Sequence, residues 1–566
     1  MNNKDVFQLN EKQNRWVDQT LGSMTLEEKV GQVINIAVGF FDPKLEGRML
    51  EQIRRCQPGS AITGGLHWKV MRKVMEKVNA QLKVPLVANA DFEMGPYLAD
   101  GTPFPPVMGM SAVADTAKAE QLLFAAGETS ARQGRAVGIQ WALGPVVDIN
   151  ANFRNPITNV RSFGDDPARV KRLSLAYIKG LQTHGMAATC KHFPGDGYSD
   201  LDQHKLTTVN PLSRKDWLKL SGAMFQNAID KGVYTIMPGH IACPALDPAR
   251  NERGRPIPAT FSRRLLLDVL RGEMGFTGVI VSDAFQMGGT LEHVKTIPEA
   301  CVRSLAAGMD VVLMIFMDQL ESVFEGILAA VKSGQLTETR LDDAVLRLLK
   351  LKAKLGLNEP DFMGTEAEAA KVFKPLLHHK EALEASRLSV TLTHDLTGDI
   401  PLKKGKVKRV LVNLLNEEQF WGADGVKLCG NKLPEYTFVA ELRKRKIKVD
   451  VVEDPGEGET AKVAHKYDAI LYMFNNGPQA SRCSIAPCRQ ALRDMDWTVI
   501  NSDKPVIFVA LRSPYLQYYL PGIPNCVMTY GNSSTQQTAL VEALLGEIPI
   551  KGKLPVKLPD PYGIQL

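Results

Sequence analysis

The sequence predicts an α/β protein: a (β/α)8 TIM-like barrel of parallel strands followed by a second, open α/β sandwich domain. Three observations carry that expectation. Eight short apolar runs, each bounded by turn residues, occur in the first 355 residues, with helically spaced segments between many of them. Polar residues able to do chemistry stand just after five of those runs. A second series of apolar runs begins only beyond residue 386, after a charged stretch.

The expected barrel strands cover 33–38, 60–64, 85–90, 137–143, 186–190, 233–237, 278–282 and 310–316. Helical segments between them include 116–133, 167–183, 214–231, 262–273 and 297–307. Alternation of this kind builds a parallel sheet covered by helices, and eight strands in that length fit a closed barrel better than an open sheet. A charged, helical-looking connection follows at 356–385. Strand-like runs then recur at 390–393, 407–414, 449–452, 469–474, 506–511 and 526–530, with a helix at 533–545. The expected division is a barrel over 1–355, a linker over 356–385 and an open α/β sandwich over 386–566. A chain of 566 residues calls for such a division, because a single core stops growing at roughly 250–300 residues.

Composition excludes several classes of function. Hydrophobic residues at 44% and charged residues at 23% are ordinary for a soluble globular chain. The net charge of +6 comes from basic residues spread along the chain, so nucleic-acid binding is not indicated. The eight cysteines lack zinc-ligand spacing; Cys483 and Cys488 are the closest pair, with no second pair beside them. Free thiols in a reducing compartment, and no metal, are expected. No run approaches the roughly 18 apolar residues of a membrane span, and the polar start lacks a secretory pattern. A cytoplasmic protein with no membrane partner is expected.

The candidate site follows from the strand ends. Asp91 follows PLVANA, Asp148 follows ALGPVV, Lys191 and His192 follow MAATC, His240 follows YTIMPG, and Asp283 follows GVIVS. In a barrel the carboxyl ends of the strands converge on one face, so these residues would line one pocket. The segment KHFPGDGYSDLDQH, 191–204, is rich in Pro and Gly and reads as a long loop placed directly after a strand. It ends in Asp202 and His204, spaced so that the carboxylate reaches the imidazole, fixes its tautomer and suits it to general acid work. Alone, such a pair is common in solvated turns. Its weight comes from a carboxylate, Asp283, delivered to the same face by a buried strand.

These pieces together resemble glycoside hydrolase family 3, and within it the bacterial β-N-acetylglucosaminidases. The matching segments are MTLEEKVGQ at 24–32, GPVVDIN at 144–150, RSFGDDP at 161–167, KHFPGDG at 191–197, Asp202 with His204, MPGHI at 237–241, and GVIVSDAFQM around Asp283. The resemblance implies a retaining, exo-acting glycosidase that cleaves terminal β-linked N-acetylglucosamine by double displacement. Asp283 matches the nucleophile, and His204, oriented by Asp202, matches the acid/base of that branch. Arg161, Lys191 and His192 match positions that bond sugar hydroxyls, Asp91 matches a carboxylate on the far side of the ring, and His240 matches a position near the nucleophile. No cofactor is implied. The substrate is a small glycoside or oligosaccharide, and inorganic phosphate is a possible second acceptor, because a histidine that has given up its proton is neutral and does not repel an anion. Two departures bear on the sugar: Asp196 stands where the relatives usually have a histidine, and the segment 91–95, DFEMG, differs from their usual pattern. Three other readings stay open on sequence: a β-glucosidase of the same family, a barrel aldolase using Lys191 as a Schiff base, and a sugar-binding protein without catalysis.

Overall fold

The computed structural model describes residues 5–38, 46–403, 405–416, 436–478, 486–487 and 491–559. Each of the eight apolar runs forms a strand. In order they are Ile34–Ala37, Ser60–Ile62, Val87–Ala90, Ile139–Ala142, Ala187–Phe193, Thr235–Pro238, Val279–Ile280 and Val312–Ile315. Neighbours pair in parallel in chain order, and the eighth strand pairs with the first, Ile34 beside Val312. A parallel bridge between Val281 and Val311 joins the seventh to the eighth and closes the circle. The chain is therefore a (β/α)8 barrel over this region.

Period-two alternation decides which side chains fill the barrel. Val87, Trp141, Leu143, Ala187, Met237, Val279, Val281, Val311 and Leu313 meet in one apolar cluster, joined by Leu348 and Leu351 of the helix Glu338–Lys354. The Trp141 indole N–H, which would be costly to bury unbonded, donates to the Thr189 and Thr235 hydroxyls at 2.8 and 3.0 Å. Local signals set the helix starts. In MTLEEKVGQ, Thr25 and Glu28 form a reciprocal capping box ahead of Leu26–Gln32. Ile297–Ala307 starts at a Thr296 cap with Pro298 in its first turn and ends at Gly308.

Two expected helices differ in detail. The segment 214–231 is two helices, Arg214–Lys219 and Ser221–Asp230, broken at Leu220, whose backbone angles (φ −109°, ψ −101°) are not helical. Gly222 lets the Trp217 ring lie against the second helix; a β-carbon there would come within 2.7 Å of a ring atom. The segment Arg264–Glu273 winds as a π-helix. Its buried residues are Leu265, Leu266, Val269 and Leu270.

By the packing of the chain, the structure divides into two compact units: Met1–Thr102, Phe124–Ile149 and Val170–Leu377 in the first, and Pro103–Leu123, Asn150–Arg169 and His378–Leu566 in the second. The second unit holds a six-stranded open sheet. Lys448–Glu453, Arg409–Asn416, Ala469–Asn475, Val506–Ala510 and Asn525–Met528 lie side by side in parallel, and Thr391–Asp395 adds antiparallel at the edge. Both faces are covered: Ile470, Tyr472 and Phe474 enter one apolar cluster, and Ala469, Leu471 and Met473 the other. This is an α/β sandwich. Among the described residues no helix is long and apolar enough to cross a membrane. Cys56, Cys190, Cys243, Cys301 and Cys526 are free and buried, while Cys429, Cys483 and Cys488 lie outside the described residues.

Candidate active site

The fifth strand runs on to Phe193, so Lys191 and His192 belong to its last residues rather than to the loop after it. The Lys191 side chain is only 3% exposed, and a buried ammonium needs anionic partners. Glu93 Oε1 stands at 2.5 Å and Asp91 Oδ1 at 3.0 Å. Glu93 is buried with it, whereas Asp91 is 50% exposed. Glu93 escaped the sequence reading. Its signal was the i, i+2 spacing from Asp91, which allows both carboxylates to meet one lysine.

Asp148 organises the start of the long loop. Its wholly buried carboxylate accepts the His192 backbone N–H (3.1 Å), the His192 ring at Nδ1 (2.7 Å) and the Asp196 N–H (2.8 Å). Because an ionised carboxylate only accepts, Nδ1 of His192 carries the proton and Nε2 is the nitrogen left for other work. Further along, the Trp217 indole N–H donates to the Pro194 carbonyl at 2.7 Å. The loop then rejoins the barrel through Thr208–Val209, which pairs in parallel with Ile241–Ala242 just after His240.

Between these anchors lies the expected dyad. Asp202 Oδ1 accepts both the His204 backbone N–H (2.8 Å) and its ring Nδ1–H (2.7 Å). Asp202 is buried and His204 is 25% exposed, so the carboxylate holds the ring from behind while Nε2 faces away from it. The segment after Asp283 grips the same loop. Gly288 N–H donates to the His204 carbonyl at 2.9 Å and Gly289 N–H to the Gln203 carbonyl at 3.1 Å. A β-carbon at Gly288 would come 2.0 Å from the Lys205 carbonyl oxygen, so only glycine permits this approach.

Asp283 stands beyond the seventh strand, its Oδ1 accepting the Ala284 N–H at 2.8 Å. Burial alone would raise the pKa of its carboxyl, but His192, His240, His204 and Lys191 act against burial and hold it below the usual carboxylate value. These four are sequence-expected site residues, so the structure brings them around Asp283. His240 is fully buried, with Nε2 donating to the Ala284 carbonyl (2.8 Å) and Nδ1 facing the Thr260 (2.8 Å) and Thr290 (3.1 Å) hydroxyls. Burial lowers its pKa, although Asp283 pulls the other way. The Ala284 carbonyl fixes Nε2 as a donor, so in a neutral ring Nδ1 is left to accept from a hydroxyl. Arg161 lies in the second compact unit, on the 3-10 turn Asn159–Arg161, where its guanidinium donates to the Ile157 carbonyl at 3.3 Å.

A closed parallel barrel whose strand ends gather carboxylates, a carboxylate-backed histidine and a buried lysine is an enzyme architecture built for acid–base chemistry. Comparison with known proteins narrows the class. Residues 25–351 match the model of the glycosyl hydrolase family 3 N-terminal domain. A "Beta-N-acetylglucosaminidase/beta-glucosidase" of Cellulomonas fimi is 31% identical over 97% of this chain and 97% of its own. Among solved structures, a "Beta-glucoside phosphorylase BglX" is 30% identical with a TM-score of 0.85, covering 99% of this chain and 98% of that one. A family 3 β-N-acetylglucosaminidase from Paenibacillus sp. str. FPU-7 is 25% identical with a TM-score of 0.77, covering 95% and 99%. The chain belongs to glycoside hydrolase family 3.

Proposed function

We propose that the protein is a retaining, exo-acting β-N-acetylglucosaminidase in which Asp283 attacks the anomeric carbon while His204 protonates the leaving oxygen. His204 then removes a proton from the acceptor, and the sugar departs with its configuration retained. The observation that carries this is the 2.7 Å contact between Asp202 and the His204 ring. It places the proton of the neutral ring on Nδ1, so Nε2 is the nitrogen that gives up and takes back the catalytic proton. Asp91, Lys191 and His192 bond sugar hydroxyls, and Arg161 is included on the strength of its RSFGDDP motif. His240, turned into the protein, acts by holding Ala284 and so the adjacent nucleophile. Lys191, already between two carboxylates, is an ion-pair partner rather than a Schiff-base amine.

The same geometry supports phosphate as an acceptor. A carboxylate acid/base becomes anionic on giving up its proton and repels phosphate, whereas His204 becomes neutral. In that second step a phosphate oxygen bonds to the anomeric carbon as the Asp283 ester bond breaks, releasing a sugar 1-phosphate. The names of the Cellulomonas relative and of the solved phosphorylase favour a second substrate, β-glucosides. Turnover of nitrophenyl β-glycosides of N-acetylglucosamine and of glucose, with and without phosphate, tests these readings. The expected result is faster release from the N-acetylglucosaminide and accumulation of the sugar 1-phosphate when phosphate is present. A higher kcat/KM on the glucoside overturns the sugar assignment, and phosphate-independent rates with no sugar 1-phosphate overturn the acceptor.

A further inference from the structure

Resting on the roles given to Asp283 and His204, we propose that Gln203 is a positioning residue that sets the distance between them. It is 1% exposed although its neighbours Leu201 and His204 reach solvent. A polar side chain buried in a surface loop costs free energy unless it is bonded. Its Oε1 accepts the backbone N–H of His240 at 3.0 Å, at the end of the sixth strand. His240 in turn donates from Nε2 to the Ala284 carbonyl at 2.8 Å. Ala284 is covalently next to Asp283, and Gln203 is covalently next to His204. The five residues Asp283, Ala284, His240, Gln203 and His204 therefore form one continuous chain of bonds that runs from the nucleophile to the acid.

The packing enforces that route. A β-carbon at Gly239 would lie 2.8 Å from Gln203 Oε1, so the amide fits closely under the sixth strand. The loop keeps a second attachment, from Gly288 and Gly289 to the carbonyls of His204 and Gln203, on the side of the seventh strand. Gln203 ties it to the sixth beside His204 itself, before Thr208 begins to pair with Ile241. With both attachments the His204 end of the loop is held against two neighbouring strands; without Gln203 the loop meets the sixth strand only from Thr208 on, and the His204 end can pivot about the Gly288–Gly289 bonds. A pivot moves His204 relative to Asp283 without moving Asp283 itself.

Misplacing a reacting group by about 1 Å costs up to ~100-fold in rate. For an acid this loss appears only when the leaving group needs a proton, which separates positioning of His204 from general damage to the fold. Gln203→Met keeps the side-chain length and removes the acceptor, whereas Gln203→Glu keeps an acceptor oxygen. The measurement is kcat/KM for a methyl and a 2,4-dinitrophenyl β-glycoside of the preferred sugar, on the same preparation, so that their ratio is independent of the fraction folded. Gln203→Met should lose about tenfold or more on the methyl glycoside and less than about threefold on the dinitrophenyl one, and Gln203→Glu should stay closer to wild type in that ratio. Equal losses on both substrates, no loss, or the same split in Gln203→Glu as in Gln203→Met would overturn the proposal. His204→Ala distinguishes this from failure of the acid assignment. If it shows no split, His204 is not the acid; if it splits and Gln203→Met does not, only the role of Gln203 falls.

Discussion

The two ends of the barrel both carry buried charge, and they use it in opposite ways. At the amino-terminal end Asp310, wholly buried at the start of the eighth strand, is ringed by Arg271 (2.6 Å), Arg340 (2.7 Å), Arg347 (3.4 Å) and the Ile280 N–H (2.9 Å). Burial would raise its pKa, but the three guanidiniums hold it low. Both oxygens of Asp310 are used inside the protein, and its guanidinium partners are themselves taken up by further bonds to Asp343 and to backbone carbonyls. At the carboxyl-terminal end each buried charge backs a more exposed partner: Lys191 backs Asp91, and Asp202 backs His204. A perturbed, charged cluster is therefore no sign of a site by itself. What marks the site is that its bonding stops one group short of closure, at an atom that can meet a substrate.

That difference should separate the effects of substitution. The largest is expected at the open end. Asp283→Asn should lower kcat by roughly 10⁴-fold or more, leave the urea unfolding midpoint unchanged or slightly higher, and still bind sugar. Steady-state kinetics with ligand-binding calorimetry would check it, and activity near that of wild type would remove Asp283 from the mechanism. At the closed end the sign is reversed. Asp310→Asn strips the central anion from three guanidiniums and should cost about 3–5 kcal/mol of unfolding free energy while the folded protein keeps its kcat. A variant with a normal midpoint and a low kcat would erase the distinction between the two ends.

Much of this was legible in the sequence, and the reason differs by feature. The order of the strands follows from local apolar runs, and the Asp202–His204 contact follows from a two-residue spacing, so neither needed tertiary knowledge. The break at Leu220 and the π-helix at Arg264–Glu273 were not legible, because the first sits beside a Trp217 contact and the apolar spacing of the second is that of an ordinary α-helix. Glu93, Gln203 and the clamp made by Asp148 were missed for a related reason. Their partners, Lys191, His240 and His192, come from other strands or the loops between them, and a chain of letters does not say which groups meet across a barrel.

The closed end also holds the smallest of these effects, and the one whose pH dependence can be worked through. Lys352 is fully buried on the helix Glu338–Lys354, with its Nζ donating to Gln32 Oε1 at 2.6 Å. Burial lowers its pKa from 10.5 to about 7. Above the unfolded value both states are neutral and the lysine costs nothing through ionisation. As pH falls from about 10.5 to about 7, the unfolded chain takes up a proton that the folded one refuses, so stability declines; below about 7 both are protonated and the penalty is complete. One proton corresponds to about 1.4 kcal/mol per pH unit within that window. Lys352→Met removes this slope but leaves Gln32 Oε1 without its donor, at about 1–3 kcal/mol. The variant should therefore be the more stable protein at pH 6, keep that advantage to about pH 7 and lose it as pH rises from 7 to 9, where wild type overtakes it or draws level. Urea titrations of both proteins at pH 6, 7, 8 and 9 would check this, and parallel curves across the series would show that Lys352 is not held neutral. A crossing would mean that the closed end bears its buried cation as a cost, whereas the open end puts Lys191 between two carboxylates.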